Sequence, residues 1–191
     1  MKKLLQLFVV SVLFTLLAIP SISFSKEVEG VNIPDDLLVD GSNLVLNGAG
    51  TRSKFFIDVY IGGLYLKSKN KNADQIITAD EPMAITLHIT SGMLTTEKME
   101  TALREGFEKS TQGKQDAIKS EIEQIINAFK EEISEDDKFQ IVYVPGQGVK
   151  VSKNGEFKTL IPGLNFKSAL FGIWLGKEPA DDDLKEDMLG N

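Results

Sequence analysis

From Phe55 to Leu66 the chain reads Phe-Phe-Ile-Asp-Val-Tyr-Ile-Gly-Gly-Leu-Tyr-Leu. Aromatic and β-branched residues fall on both parities after Phe55, so neither face of an extended segment is polar. Such a strand suits only a central place in a sheet, with both faces covered. We expect one long, bent or bulged strand from Arg52 to Leu66. Gly62-Gly63 then marks a bulge or a close backbone approach rather than a hairpin turn. Upstream, Leu44-Val45-Leu46 predicts a short strand, ended by the turn cluster Asn47-Gly48-Ala49-Gly50. Residues 26–40 predict an edge strand and a turn.

The rest of the chain alternates between the two periodicities. Asp74 to Thr78 predicts a short helix. Met83 to Thr90 alternates apolar and polar, as a half-buried strand does. Thr95 predicts an N-cap, with Leu94 and Met99 as its hydrophobic staple and Ala102, Leu103 and Phe107 continuing the stripe to Gly113. A second helix is expected over residues 114–133, with Ile118, Ile122, Ile125, Ile126, Phe129 and Ile133 on one face. Phe139 to Val144 predicts a strand. Asn154-Gly155 joins two more in a hairpin. Asn165 is expected to cap a helix carrying Phe166, Leu170, Ile173 and Trp174, with Gly176 behind it. Pro179 opens a last helix with Asp181, Asp182 and Asp183 at its positive end. The order implies one α+β domain: an antiparallel sheet of six or seven strands with a helical layer.

The first 25 residues are read as an address. Lys2 and Lys3 precede an uncharged apolar run from Leu4 to Ile19, and Pro20 breaks it. Ser23 and Ser25 stand at the −3 and −1 positions of a cleavage site, the pattern of a secretory signal peptide. The run is shorter than the ~20 residues of a spanning helix. We therefore expect a mature domain over residues 26–191, exported to a bacterial periplasm and not stably inserted in the membrane. The chain has 21 basic and 28 acidic residues, a formal charge of −7. Without the two leader lysines the charge is −9. That balance excludes a nucleic-acid backbone binder and predicts avoidance of anionic surfaces. With no Cys and one His, thiolate zinc, disulfides and a Cys nucleophile are excluded. No metal or cofactor is expected, and the Asp181–Asp183 run lacks the Gly and distal Glu of a calcium loop. His88 is a candidate acid or base without an obvious nucleophile.

Four ordered stretches carry a resemblance: Leu46-Asn47-Gly48-Ala49-Gly50-Thr51-Arg52, Val59 to Leu66, Asn165 to Gly176, and Pro179 to Lys185. Together they resemble the chalcone isomerase family, in particular its bacterial exported branch, over roughly Val31 to Leu189. The resemblance implies an open-faced β-sandwich, a large antiparallel sheet with helices on one side and a cleft beside them. It also implies a site: an Arg that holds an oxyanion, a strand Thr, a helical Tyr and Asn, and a late Thr. The Arg falls on Arg52. The strand Thr falls at or beside Tyr60, the helical pair near Met99 and Gly106, and the late Thr on Ile173. No Tyr or Asn lies between Thr95 and Thr111.

One guanidinium without the polar network positions an anion but does not stabilise charge that develops in a transition state. Non-catalytic relatives in this superfamily bind fatty acids with that Arg. Arg52 and Tyr60 are thus the expected ligand-binding residues for an apolar carboxylate, with no catalytic residue assigned. Asp58 is the neighbour that would block Arg52 by pairing with it. Two alternatives stay open: an isomerase or intramolecular lyase acting on an unknown substrate, and a structural or interaction protein with a closed cleft. The oligomeric state is left open.

Overall fold

The computed structural model describes residues 25–191; the predicted leader falls, apart from its last residue, outside the described residues. A hairpin of β1 (Ser25–Val28) and β2 (Val31–Pro34) stands apart from the main sheet. The main sheet has seven strands: β3 (Asp36–Val39), β4 (Ser42–Lys54), β5 (Ile57–Leu66), β6 (Met83–Ile89), β7 (Lys138–Val144), β8 (Gly148–Lys153) and β9 (Glu156–Ile161). They lie side by side in chain order, each antiparallel to the next. Five helices complete the domain: α1 (Ala73–Thr78), α2 (Thr96–Ser110), α3 (Lys119–Ala128), α4 (Leu164–Leu175) and α5 (Asp182–Leu189). The predicted α+β class and strand number match this architecture.

The two-sided apolarity of β5 now has its cause. One face packs under the helices in a core that includes Tyr60, Leu64, Leu87, Phe107, Leu170 and Trp174. On the opposite face, Ile61 and Tyr65 pack with Ile33 of the small hairpin and with Leu44, Leu46 and Val142. α4 is apolar nearly all round, as a helix enclosed between the sheet and other helices must be.

Four local expectations need correction. The stretch from Arg52 to Leu66 is two strands, because Phe55 and Phe56 form a two-residue turn between the paired residues Lys54 and Ile57. Both turn residues have positive φ, 53° and 64°. That backbone normally goes to Asn-Gly or Gly-Gly, so the sequence carries no turn signal here. Conversely, Asn47 to Gly50 is no turn; β4 runs straight through it, with a register shift between Leu46 and Gly48. The glycines are there because α5 lies directly on them. A Cβ on Gly48 would sit 2.0 Å from the Asp187 carbonyl oxygen, and one on Gly50 would sit 2.1 Å from Asp187 Oδ2. Asn47 fixes the same contact, donating from Nδ2 to the Met188 carbonyl at 2.8 Å and accepting the Asn70 amide on Oδ1 at 2.7 Å. Finally, α4 starts one residue before Asn165, on Gly163 with φ 108° and no side-chain cap. α3 also ends at Ala128; Phe129 and Ile133 continue to bury their side chains from the segment beyond it.

Lys167 of α4 is fully buried. Its ammonium donates to three carbonyls at the end of α1: Ile76 at 2.8 Å, Ile77 at 2.9 Å and Ala79 at 2.8 Å. A helix C-terminus carries unsatisfied carbonyls and negative potential, and one cation here satisfies three of them. The burial itself pushes the amine down to about 8. Replacing the side chain by an apolar one of similar length strands the Ile76 and Ala79 carbonyls, while the Ile77 carbonyl keeps the Ser168 hydroxyl at 2.9 Å. Lys167→Met should therefore destabilise the fold by about 2–4 kcal/mol, by the cost of unsatisfied buried polar groups, read from the denaturant midpoint. A loss within ~0.5 kcal/mol, the range of an ordinary surface substitution, would show that the cap is dispensable.

Candidate functional site

Arg52 lies near the end of β4, directly opposite Tyr60 of β5. The two share a face, but through cross-strand pairing rather than along one strand. Tyr60 is buried, 2% exposed. Its hydroxyl accepts a hydrogen bond from Trp174 Nε1 at 2.9 Å, which ties the sheet to α4. The Arg52 guanidinium carbon lies 5.5 Å from the centre of the Tyr60 ring, in cation–π range. The indole thus holds the phenol, and the phenol ring supports the half-buried guanidinium.

A cleft of about 190 Å³ opens beside Arg52, between the β4–β5 hairpin and the start of α2. Val59, Leu94 and Ala102 form its apolar wall, and Phe55, Ile57 and Met93 its lip. Arg52, Lys54 and Lys98 supply its charge; no acid lines it. Lys98 is oriented by donating to the Met93 carbonyl at 2.8 Å. α2 begins here because Thr95 caps it, accepting the Lys98 amide at 3.4 Å. Asp58 does not block Arg52: its carboxylate accepts the Ser53 hydroxyl at 2.6 Å, and no ion pair to Arg52 exists among the described residues. Tyr60 does not line the cleft. It stands beneath Arg52 as a support.

Burial raises the Tyr60 phenol above its ordinary range, against the lowering pull of the Arg52 charge and the Trp174 donor. The phenol is therefore neutral at physiological pH and is no base.

The sequence profile of a family described as chalcone isomerase-like matches residues 25–190. The chain belongs to the chalcone isomerase-like family. Its fold is similar to that of a fatty-acid binding protein of Arabidopsis thaliana, at TM-score 0.66 and 21% identity, over 84% of this chain and 92% of that one. No curated protein sequence matches it.

The chalcone isomerase-like chain closes the region where the resemblance implied polar groups. Met99 and Ile173 are 3% exposed, and Gly106 is also buried. A Cβ on Gly106 would meet Ile173 Cγ2 at 2.7 Å, so α2 and α4 pack against each other here. His88 sits elsewhere, 3.3 Å from the exposed Asp136 carboxylate. Asp181 caps α5, accepting the Leu184 amide at 2.9 Å. Lys54 and Lys98 escaped the sequence reading. Each looks like an ordinary solvated lysine until the hairpin folds against α2.

All three tyrosines are displaced upward. Tyr65 and Tyr143 reach about 12, driven first by burial, and Tyr60 moves the same way. The folded chain holds these protons where the unfolded chain releases them at about 10. For Tyr65 and Tyr143 that contribution to stability is complete below about pH 10 and is lost as pH rises toward about 12, and Tyr60 adds to it in the same direction. Tyrosinate absorbance of the folded protein should accordingly lag behind that of the unfolded chain. Tyr60 titrating at or below its ordinary value, assigned by its loss in Tyr60→Phe, would mean that Arg52 prevails over burial there, and would make a phenolate base available.

Proposed function

We propose that the chain is a periplasmic, non-catalytic binder of a fatty acid or another apolar carboxylate. The carboxylate lies on Arg52, and the first part of the tail follows the cleft wall. One observation carries this reading: a guanidinium with no acidic partner among the described residues, at the edge of an apolar cleft that no acid lines. A planar guanidinium takes a carboxylate in a bidentate pair, and a nearby low-dielectric wall strengthens that pair. Tyr60, expected from sequence as a second ligand contact, acts here by holding Arg52 in place. The name of the Arabidopsis neighbour supports the same ligand class.

The cleft is smaller than the ~300–1,000 Å³ of pockets that enclose a whole drug-sized ligand. It takes the head and the adjoining carbons, and the remaining tail runs across the lip of Phe55, Ile57 and Met93. An isomerase reading fares worse. It needs groups that act on charge forming on a substrate carbonyl, and the implied positions hold Met99, Gly106 and Ile173 packed among themselves.

Arg52→Ala should weaken binding of a fluorescent fatty acid by about tenfold or more, the worth of a charge-assisted hydrogen bond. Its unfolding free energy should change by less than about 1 kcal/mol, as expected of a half-exposed strand-end residue. Undiminished affinity would overturn the carrier reading. Incubation with a chalcone should give no flavanone above the spontaneous rate, as judged by chromatography; turnover would reinstate the enzyme. The exported form should begin at Lys26 on N-terminal sequencing, and an intact leader would overturn the placement in the periplasm.

A further inference from the structure

We infer that the Phe55-Phe56 hairpin tip docks the protein, peripherally, on the surface of a lipid bilayer. The two phenylalanines are 83% and 105% exposed. Ile57 and Met93 beside them are also exposed. Large apolar side chains gathered at one exposed place mark an interaction site. The shape indicates which kind. β6 pairs with β5 as far as the Tyr60–Ile89 pair, and Thr90 extends the contact, its amide donating to the Val59 carbonyl at 3.2 Å and its hydroxyl to the Asp58 carbonyl at 3.1 Å. Phe56 is two residues beyond Asp58, which at strand rise is roughly 7 Å past the last of these bonds. A projecting point of two aromatic rings cannot supply the ~800 Å² per partner of a stable protein interface. It does suit the headgroup–acyl boundary, where apolar rings enter and neighbouring cations stay at the phosphates.

The charge around the tip fits that occupant. Arg52, Lys54 and Lys98 surround it, and Lys54 Nζ lies 5.9 Å from the centre of the Phe55 ring. The acids on the same elements are Asp58, held by Ser53, and on α2 Glu97 in its first turn, Glu100, which pairs with Arg104, and Glu105 and Glu108 further along the helix. An acidic stretch over residues 131–137 follows α3 on the way to β7. Part of it is neutralised, with Glu131 paired to Lys158 and Asp137 to Lys153. At physiological salt, charges act over about 8 Å, so the charges nearest the two rings weigh most. The negative charge of the whole chain predicts avoidance of anionic surfaces; the local excess of cations governs how this one point meets them. No helix among the described residues is long and apolar enough to cross a membrane, so the contact is superficial.

The test is flotation of the full mature protein with vesicles of phosphatidylcholine and phosphatidylglycerol that contain no fatty acid. The wild type should float with them, less well as salt is added. Phe55→Asn/Phe56→Gly removes both rings while installing the pair that the positive-φ turn prefers. Its thermal midpoint should rise, yet its vesicle affinity should fall by about tenfold or more, because each lost ring forfeits its burial. Unfolding therefore cannot account for the loss. The docking idea is overturned if the wild type stays in solution, or if the variant floats equally well. It is also overturned if sedimentation shows a dimer that the variant dissolves, since the tip is then a contact between copies. A protein that binds fatty acid in solution but ignores vesicles refutes docking alone and leaves the reading of the cleft in place.

Discussion

The bond from Trp174 Nε1 to the Tyr60 hydroxyl, 2.9 Å long and fully buried, governs what the rest of the site can do. It joins the most apolar helix to β5 and fixes the ring on which Arg52 rests. An isolated arginine at a strand end samples many rotamers and loses that freedom on gripping a ligand. Supported from below, it has less freedom to lose, and under the proposed reading that saving would appear as affinity. The phenol itself stays neutral through burial, so the same arrangement that favours holding an anion disfavours acid–base chemistry.

Closure of the helical layer pushes in the same direction. Gly106 lets Ile173 approach where a side chain would otherwise keep α2 and α4 apart. Replacing polar groups by mutually packed apolar ones is nearly neutral for folding, since no donor or acceptor is left behind. At Met99, Gly106 and Ile173, where the resemblance implied polar groups, the packing is apolar. The space that survives lies lower, between the β4–β5 hairpin and the start of α2, where the cations are.

How much of this was legible depended on whether the information was local. The two-sided apolarity of Val59 to Leu66, the Thr95 cap and the Asn154-Gly155 hairpin, with φ of 51° and 83°, could each be read from a short window. Arg52 came from the family pattern rather than from its surroundings. Gly48 and Gly50 were misread because a glycine that admits a neighbouring helix and a glycine that makes a turn look the same in sequence. The neighbour in question, α5, is over 130 residues away. Phe55-Phe56 was misread for the opposite reason: it makes the turn without the residues that ordinarily signal one. Lys54 and Lys98 meet only because two distant segments fold side by side, so no window contains the pair.

That misread turn is informative because it violates a local rule at a visible cost. Two aromatic residues at positive φ are strained relative to Asn-Gly, and complete exposure of their rings adds nothing to the core. Local conflicts of this kind concentrate where function, rather than folding, sets the residue. The strain also lies at the lip of the cleft of about 190 Å³, which Phe55 lines. A carboxylate ligand with a tail longer than its pocket must leave part of that tail either in water or in contact with something apolar. The lip provides the second option, and the two rings extend it outward from the protein. One hairpin thereby accounts for both the small volume of the cleft and the exposed aromatics, which as separate features would each be unfavourable.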